Sequence, residues 1–307
     1  MNTKIVKKIN QLLRPSKDIT DEKINNAVQD LKNNGFIVLE NFIDEKNISK
    51  IQEYVNSKLV DLDFETPCIG QNLIDKNHHQ NLIANNFLLT PNEALKEGIA
   101  FTKDQINSYQ EVLEKFNPSS LKISVTDNTS LMKAILDEKL LAIIENYFGF
   151  TPILKEAYLR RNFGADFKIM NHFWHRDKNS PFLLKAFLFT TDCNEFNGPH
   201  HYVSGSHNEK IFTKEKYYSD TEIEHNSIFK NRIHKSIVKA GTLILEDTRG
   251  LHKAGVPSDG FRDMAFAVFM PKFLNLRNFL NADLKYYNIK EDMLLKLSSN
   301  AKRYIDL

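Results

Sequence analysis

From about residue 152 onward, short strand candidates alternate with residues that favour turns. Glycine, proline, asparagine and aspartate separate the candidates, as in the segments Asn-Gly-Pro and Pro-Ser-Asp-Gly. Short strands at this spacing are typical of a β-sandwich or a β-barrel. The candidates cover residues 153–163, 167–177, 183–191, 236–238, 242–245 and 264–270.

Helical spacing dominates the first 150 residues. Apolar side chains recur at intervals of three and four over residues 21–33, and Gly35 ends this pattern before a short buried strand over 36–39. Asp44 is a candidate N-cap for a second helix, and a third helical pattern covers about 130–147. The N-terminal half is therefore predicted to be largely helical.

The composition is that of an ordinary globular protein, with 41% hydrophobic and 26% charged residues and a formal net charge of +2. This charge gives no reason to expect a nucleic acid or an anionic membrane as a partner. Cys68 and Cys193 fit no metal-ligand spacing and no disulfide framework, which favours a reducing compartment. With no signal peptide and no apolar stretch of membrane-spanning length, we expect a cytoplasmic protein. The sequence does not predict an oligomeric state.

Two candidate metal ligands, His175 and Asp177, stand two residues apart in the segment Phe-Trp-His-Arg-Asp. On a strand they would project to the same side, because side chains alternate along a strand. His172 would then lie on the opposite side. His252, from a distant strand, could complete a three-residue site that leaves metal positions open, the pattern of non-heme Fe(II) oxygenases.

Arg262 further limits the topology. If the segments on either side of the turn 257–260 formed a simple hairpin, Arg262 would face away from His252. For both to face one cavity, their strands must lie in opposite sheets, as in a double-stranded β-helix. Arg262 also shares its side of the strand with Met264 and Phe266, so it needs an anionic partner. Either a buried Asp or Glu or the carboxylate of a ligand could supply it.

These patterns predict one α+β domain over 1–307 whose mainly β core is a double-stranded β-helix of the jelly-roll or cupin-like type. A largely helical part over 1–150 is expected to pack on the core, which covers 151–275 and holds the metal site. Residues 276–307 are expected to form a helical tail. Residues 66–118 and 208–231 show no pattern that can be interpreted.

The segments Trp-His175-Arg-Asp177, Asn197-Gly-Pro-His-His-Tyr-Val-Ser-Gly-Ser-His207 and Thr248-Arg-Gly-Leu-His252, followed by Arg262, resemble the phytanoyl-CoA dioxygenase family. The resemblance covers roughly residues 22–275. It implies an Fe(II)-, 2-oxoglutarate- and O₂-dependent dioxygenase. In such an enzyme His175, Asp177 and His252 would bind Fe(II), and Arg262 would pair with the distal carboxylate of 2-oxoglutarate.

The sequence departs from the family at Ala254, where relatives often carry a serine or threonine that helps to hold the cosubstrate. Tyr158, Arg160 and Asn162 share one side of the preceding strand and are candidates to replace it. Lys185 is a further candidate, although its strand is apolar on both sides. Several other conspicuous residues are expected to be structural rather than ligands: Trp174, His200, His201, Ser206 and His207.

The resemblance implies hydroxylation of an unactivated C–H bond of a small-molecule metabolite, with release of succinate and CO₂. Relatives that halogenate replace the metal-binding carboxylate with a small residue, so Asp177 favours hydroxylation or a related oxidation. Two alternatives stay open at this stage. The chain could be a jelly-roll metal-binding protein without oxygenase activity, or an oxygenase that modifies a protein or glycan.

Overall fold

The computed structural model describes residues 3–16, 21–85, 89–166, 168–273, 289 and 291–305. Within these residues a six-stranded and a three-stranded antiparallel sheet form a jelly-roll core. The strands, in chain order, are β1 (Phe36–Leu39), β2 (Cys68–Ile69), β3 (Ala100–Phe101), β4 (Ser120–Ser124), β5 (Ile153–Phe163), β6 (Leu184–Phe189), β7 (His201–Val203), β8 (Ile233–Lys235), β9 (Leu243–Glu246), β10 (His252–Lys253) and β11 (Phe261–Met270).

The larger sheet has the order β1-β9-β6-β11-β5-β4 and the smaller one the order β10-β7-β8, while β2 and β3 pair separately. Every pairing is antiparallel. Non-consecutive neighbours such as β1 and β9 show that the chain crosses repeatedly between sheets. This confirms the predicted α+β class with a double-stranded β-helix core.

The helices lie mostly before residue 150, and none in the described part of the chain is long and apolar enough to span a lipid bilayer. They are α1 (Thr3–Leu13), α2 (Glu22–Asn34), α3 (Glu45–Val60), α4 (Lys76–Ala84), α5 (Pro91–Lys96), α6 (Tyr109–Glu111, continued by a π turn over Val112–Phe116), α7 (Thr129–Ile135), α8 (Glu138–Phe148), α9 (Asp220–Glu224), and two short helices over Glu291–Lys296 and Ser299–Lys302. Much of the predicted tail, including 274–288, lies outside the described residues.

Capping explains several of these boundaries. The Asp21 carboxylate accepts hydrogen bonds from the backbone N–H groups of Lys23 and Ile24 at the start of α2. Gly35 ends α2 with φ = +83°, a left-handed conformation that glycine adopts without strain, and the chain passes directly into β1. Asp44 caps α3 as predicted.

Three predicted elements need correction. The pattern over 130–147 is two helices, because Asp137 interrupts it by capping α8 through the backbone N–H groups of residues 139 and 140. The strand predicted at 236–238 lies instead at Ile233–Lys235, and Val238 forms only an isolated bridge to Cys193.

The third correction concerns the strand predicted over 167–177. Residue 167 lies outside the described part, and Met170–His172 forms a 3₁₀ turn that begins with a positive φ of +47° at Met170. This turn breaks the alternation of sides on which the prediction rested. Beyond it, Trp174 and His175 form isolated antiparallel bridges to Tyr218 and His252.

The main apolar core lies between the N-terminal helices and the outer side of the six-stranded sheet. On β11, Ala265, Ala267 and Phe269 face this core, whereas Met264 belongs to a separate cluster on the other side of the sheet. Strand alternation thus gives β11 one side toward the helices and one toward the inside of the jelly roll.

A buried ion pair joins neighbouring strands on the helix side of the sheet. Asp263 lies opposite Arg161, and the guanidinium donates from Nε to Oδ1 at 2.8 Å and from Nη2 to Oδ2 at 2.6 Å. A third hydrogen bond, from Nη2 to Asn56 Oδ1 at 3.3 Å, links the pair to α3. Both charges are therefore compensated within the interior.

We expect Asp263→Ala to lower the free energy of unfolding by about 3–5 kcal/mol, because it leaves the buried guanidinium of Arg161 without its carboxylate. Equilibrium urea unfolding measures the loss. The control is Asp259→Ala at an exposed position, where about 0.5 kcal/mol or less is expected. Equal stability of the two variants would contradict this assignment.

Candidate active site

Two backbone hydrogen bonds bring the candidate ligands His175 and His252 side by side. The N–H of His175 donates to the carbonyl of His252 at 2.9 Å, and the N–H of His252 donates back at 3.0 Å. Residues directly opposite each other in an antiparallel ladder project to the same side. The two imidazole centroids accordingly lie 4.2 Å apart.

Backbone carbonyls fix the orientation of both rings. Nδ1 of His175 lies 2.9 Å from the carbonyl of Phe173, and Nδ1 of His252 lies 3.0 Å from that of Gly250. A proton on each Nδ1 makes these contacts hydrogen bonds and leaves the lone pair on Nε2. Burial lowers the pKa of both rings, which keeps them neutral and able to bind a cation.

Asp177 completes the cluster. Its backbone N–H donates to the carbonyl of Thr248 at 2.9 Å, and its Oδ2 lies 3.6 Å from Nε2 of His252. Candidate ligand atoms of His175, Asp177 and His252 all lie within 4.8 Å of one another. Among the described residues this is the group of His, Cys, Asp or Glu side chains that could hold a metal ion. Two imidazoles and one carboxylate form a donor set suited to Fe(II), with positions left for other ligands.

Lys185 lies against this cluster, with Nζ 2.7 Å from Oδ2 of Asp177. Burial raises the pKa of Asp177, but the ammonium of Lys185 and the two imidazoles outweigh it and hold that pKa below its usual range. The carboxylate therefore stays ionised. The structure places Lys185 next to a candidate metal ligand. The sequence could not show this, because the strand that contains Lys185 is apolar on both sides.

Arg262 is fully buried on β11, in the sheet opposite the one that contains His252. The predicted placement in opposite sheets is confirmed. The Nη2 atom of Arg262 reaches Oδ1 of Asn162 at 3.4 Å, while Nε and Nη1 have no hydrogen-bond partner among the described residues. Burial lowers the pKa of Arg262 to about 10, so the guanidinium stays charged at neutral pH.

Within the described residues no Asp or Glu forms an ion pair with Arg262; its neighbour Asp263 pairs with Arg161 on the other side of the sheet. The described residues therefore provide no internal carboxylate for Arg262, which leaves the carboxylate of a ligand as its expected partner. A buried guanidinium with two free donor groups suits a carboxylate ligand in bidentate geometry.

The candidate ligands and Arg262 line one cavity of about 470 Å³. The other predicted cosubstrate residues, Tyr158, Arg160 and Lys185, also line it. Arg160 donates to the hydroxyl of Tyr158 at 3.4 Å, and the ring of Tyr158 stacks on Phe266. Segments from the region 66–118, which shows no interpretable pattern in the sequence, contribute to the cavity wall, among them 66–69, 89–90, 94 and 100.

Most residues expected to be structural have that role. Ser206 Oγ accepts a hydrogen bond from the backbone of Leu251 at 2.7 Å, and Nε2 of His207 lies 3.1 Å from the carbonyl of Lys32. Trp174 is fully buried in an apolar cluster. His201 lies half-buried on the side of β7 that faces a separate, smaller cavity.

His200 differs from these residues. It is buried and lines the main cavity, and its Nε2 lies 3.1 Å from both carboxyl oxygens of the buried Glu246. Sequence reasoning missed this pair because Glu246 lies in an otherwise apolar strand far along the chain. A charged residue in such a strand was the available signal.

Arg176, between the two ligands of the first motif, was also missed. Its guanidinium donates to the backbone carbonyls of residues 206, 211, 212 and 249, at 2.7–3.1 Å. It thereby ties together the loops behind the cluster. Gly250 is required in this region, because a Cβ there would collide with the hydroxyl of Tyr202, which donates to the carbonyl of Asp247 at 2.9 Å.

Solved structures with a similar fold include non-heme enzymes that depend on alpha-ketoglutarate. EctD from S. alaskensis superposes with a TM-score of 0.54 at 18% identity, over 84% of this chain and 80% of that one. The alpha-ketoglutarate-dependent carbocyclase SnoK of nogalamycin biosynthesis gives 0.52 at 13% identity, over 89% and 90%. The epimerase SnoN, in complex with Fe³⁺, alpha-ketoglutarate and nogalamycin RO, gives 0.53 at 12% identity, over 81% and 84%. At these identities the likeness shows the fold.

No curated protein matches the sequence. The sequence model of the phytanoyl-CoA dioxygenase (PhyH) family matches residues 31–264, which include every candidate ligand and Arg262. The chain thus belongs to the phytanoyl-CoA dioxygenase family and is an Fe(II)- and 2-oxoglutarate-dependent oxygenase.

Proposed function

We propose that the enzyme hydroxylates an unactivated C–H bond of a small-molecule metabolite, with release of succinate and CO₂. The observation that carries this proposal is Arg262, a buried cation with free donors that lines the same cavity as His175, Asp177 and His252. A dicarboxylate could bind the metal through one end and accept hydrogen bonds from the free N–H groups of Arg262 at the other. 2-Oxoglutarate has this chemistry.

In this proposal His175, Asp177 and His252 hold the metal through two Nε2 atoms and one carboxylate oxygen. Fe(II) bound there supplies the oxidising chemistry, with 2-oxoglutarate and O₂ as co-reactants. The protein's own groups orient and shield the reactants. Phe173 and Gly250 fix the imidazole rings, Lys185 neutralises and orients Asp177, and Arg262 binds the distal carboxylate.

Asp177 supports hydroxylation or a related oxidation over halogenation, since its carboxylate occupies the position that halogenating relatives leave to chloride. The cavity volume of about 470 Å³ is in the range of small-molecule sites and supports a metabolite as substrate. Oxidation of a protein or glycan is the second candidate class. A screen of metabolites for substrate-stimulated succinate production distinguishes the two, because a macromolecular substrate predicts no stimulation by metabolites.

We expect the wild-type protein with Fe(II) and 2-oxoglutarate, without O₂, to develop a metal-to-ligand charge-transfer absorbance. Asp177→Ala removes one of three protein ligands and is expected to abolish this band and 2-oxoglutarate turnover. Circular dichroism and thermal unfolding test whether the fold persists. Asp30→Ala, at an exposed position on α2, is the control and should behave as wild type. A folded, iron-loaded wild type without the band would contradict the proposed function.

Arg262→Gln should weaken 2-oxoglutarate binding by about tenfold or more, because it removes a charged, bidentate partner of the distal carboxylate. Anaerobic titration of the charge-transfer band measures the Kd. The control ligand is 2-oxopentanoate, which carries a methyl group in place of that carboxylate and should bind both proteins alike. Equal weakening of both ligands would show that Arg262 does not contact the distal carboxylate.

A further inference from the structure

His200 and Glu246 form a buried pair of ionisable groups in the cavity wall for which the proposed metal chemistry gives no role. His200 is 5% exposed and Glu246 1% exposed. Burying two such groups is costly unless they satisfy each other, as the two 3.1 Å contacts to Nε2 allow. Their position next to the active site suggests a binding role.

The register of the smaller sheet places His200 opposite Ala254. His252 pairs with Tyr202, and Lys253 pairs with His201. One step further, the N–H of Gly255 donates to the carbonyl of Pro199 at 3.0 Å, so the ladder continues past position 254. Side chains at opposed positions have Cβ atoms about 4.5–5.5 Å apart. Ala254 and His200 therefore face the cavity together, and both line it.

Ala254 is the position where relatives often carry a hydroxyl that helps to hold the cosubstrate. Its methyl group can donate no hydrogen bond, so any donor at this point of the wall must come from a neighbour. The imidazole opposite it is such a neighbour. Arg262 lines the same cavity, and its positive charge, after burial, lowers the pKa of His200.

Because Nε2 of His200 contacts Glu246, Nδ1 is the ring nitrogen that is available to a ligand in the cavity. Burial raises the pKa of Glu246 well above its usual range, which favours a protonated carboxyl that donates to Nε2 of His200. The ring then carries its own proton on Nδ1. In the described part of the chain no hydrogen bond to this Nδ1 is found, and it is left to donate to a ligand.

We propose that His200, oriented by Glu246, binds the distal carboxylate of 2-oxoglutarate together with Arg262 and replaces the hydroxyl missing at position 254. In this assignment His200 contacts the cosubstrate, and Glu246 is a positioning residue that acts through it. A neutral N–H donor next to a guanidinium adds a hydrogen bond without a second buried positive charge. The inference rests on the proposed function, since it requires 2-oxoglutarate in this cavity.

The test is the double variant H200L/E246L. Replacing both partners with apolar residues avoids leaving either one buried alone, so the fold is expected to persist. Anaerobic titration of the Fe(II) protein, followed by the charge-transfer band, should give a Kd for 2-oxoglutarate at least tenfold above wild type. Binding of 2-oxopentanoate should be unchanged. Iron content and circular dichroism should match wild type.

Two further variants sharpen the test. Adding A254S to H200L/E246L supplies a hydroxyl at the opposed position and should recover much of the lost affinity. H201L removes the adjacent imidazole on the other side of β7 and should leave both affinities unchanged. E246Q retains a donor for Nε2 and should bind 2-oxoglutarate nearly as tightly as wild type.

The outcomes separate this inference from the proposed function. If the wild type fails to bind 2-oxoglutarate, the proposed function is wrong. If the wild type binds it and H200L/E246L binds it equally well, only the role of His200 is wrong. A variant that loses affinity for 2-oxoglutarate and 2-oxopentanoate alike would also overturn the inference, because it would place His200 at the metal end of the ligand.

Discussion

The reciprocal backbone hydrogen bonds between His175 and His252 are the constraint on which the active site depends. They join two segments that are far apart in sequence and put both imidazoles on one side of a ladder. Asp177 projects to the same cluster, and its own N–H is held by the carbonyl of Thr248. The geometry of the three candidate ligands is therefore set by main-chain pairing, and their side chains need only adopt suitable rotamers.

A second layer of polar contacts supports this pairing from behind. The guanidinium of Arg176 donates to three backbone carbonyls of the segment 206–212 and to that of Arg249. The carboxylate of Asp247 accepts hydrogen bonds from Tyr147 and from Arg249. These groups satisfy backbone and side-chain atoms that would otherwise be buried without partners. They also connect the segment that precedes His252 to α8, through the hydrogen bond from Tyr147 to Asp247.

Local pattern was sufficient where the chain is regular. On β11 strict alternation placed Arg262 inside the jelly roll, and the parity of a hairpin around the turn 257–260 led to the requirement for opposite sheets. The same reasoning failed over 167–177, because the positive φ of Met170 introduces a 3₁₀ turn that no periodicity reports. The role of Lys185 next to Asp177 and the pair of His200 with Glu246 depend on contacts between distant strands, which one sequence does not specify.

Two separate parts of the fold contribute residues to the cavity wall. Residues 65–69 and 100, around the small β2–β3 sheet, contribute to the wall, whereas the candidate metal ligands lie in the jelly roll itself. Within the described residues β2 and β3 pair with each other and with neither of the two larger sheets, so they share no backbone ladder with His175 and His252. Substitutions in this part of the wall therefore change the shape of the cavity separately from the backbone pairing that aligns the candidate metal ligands.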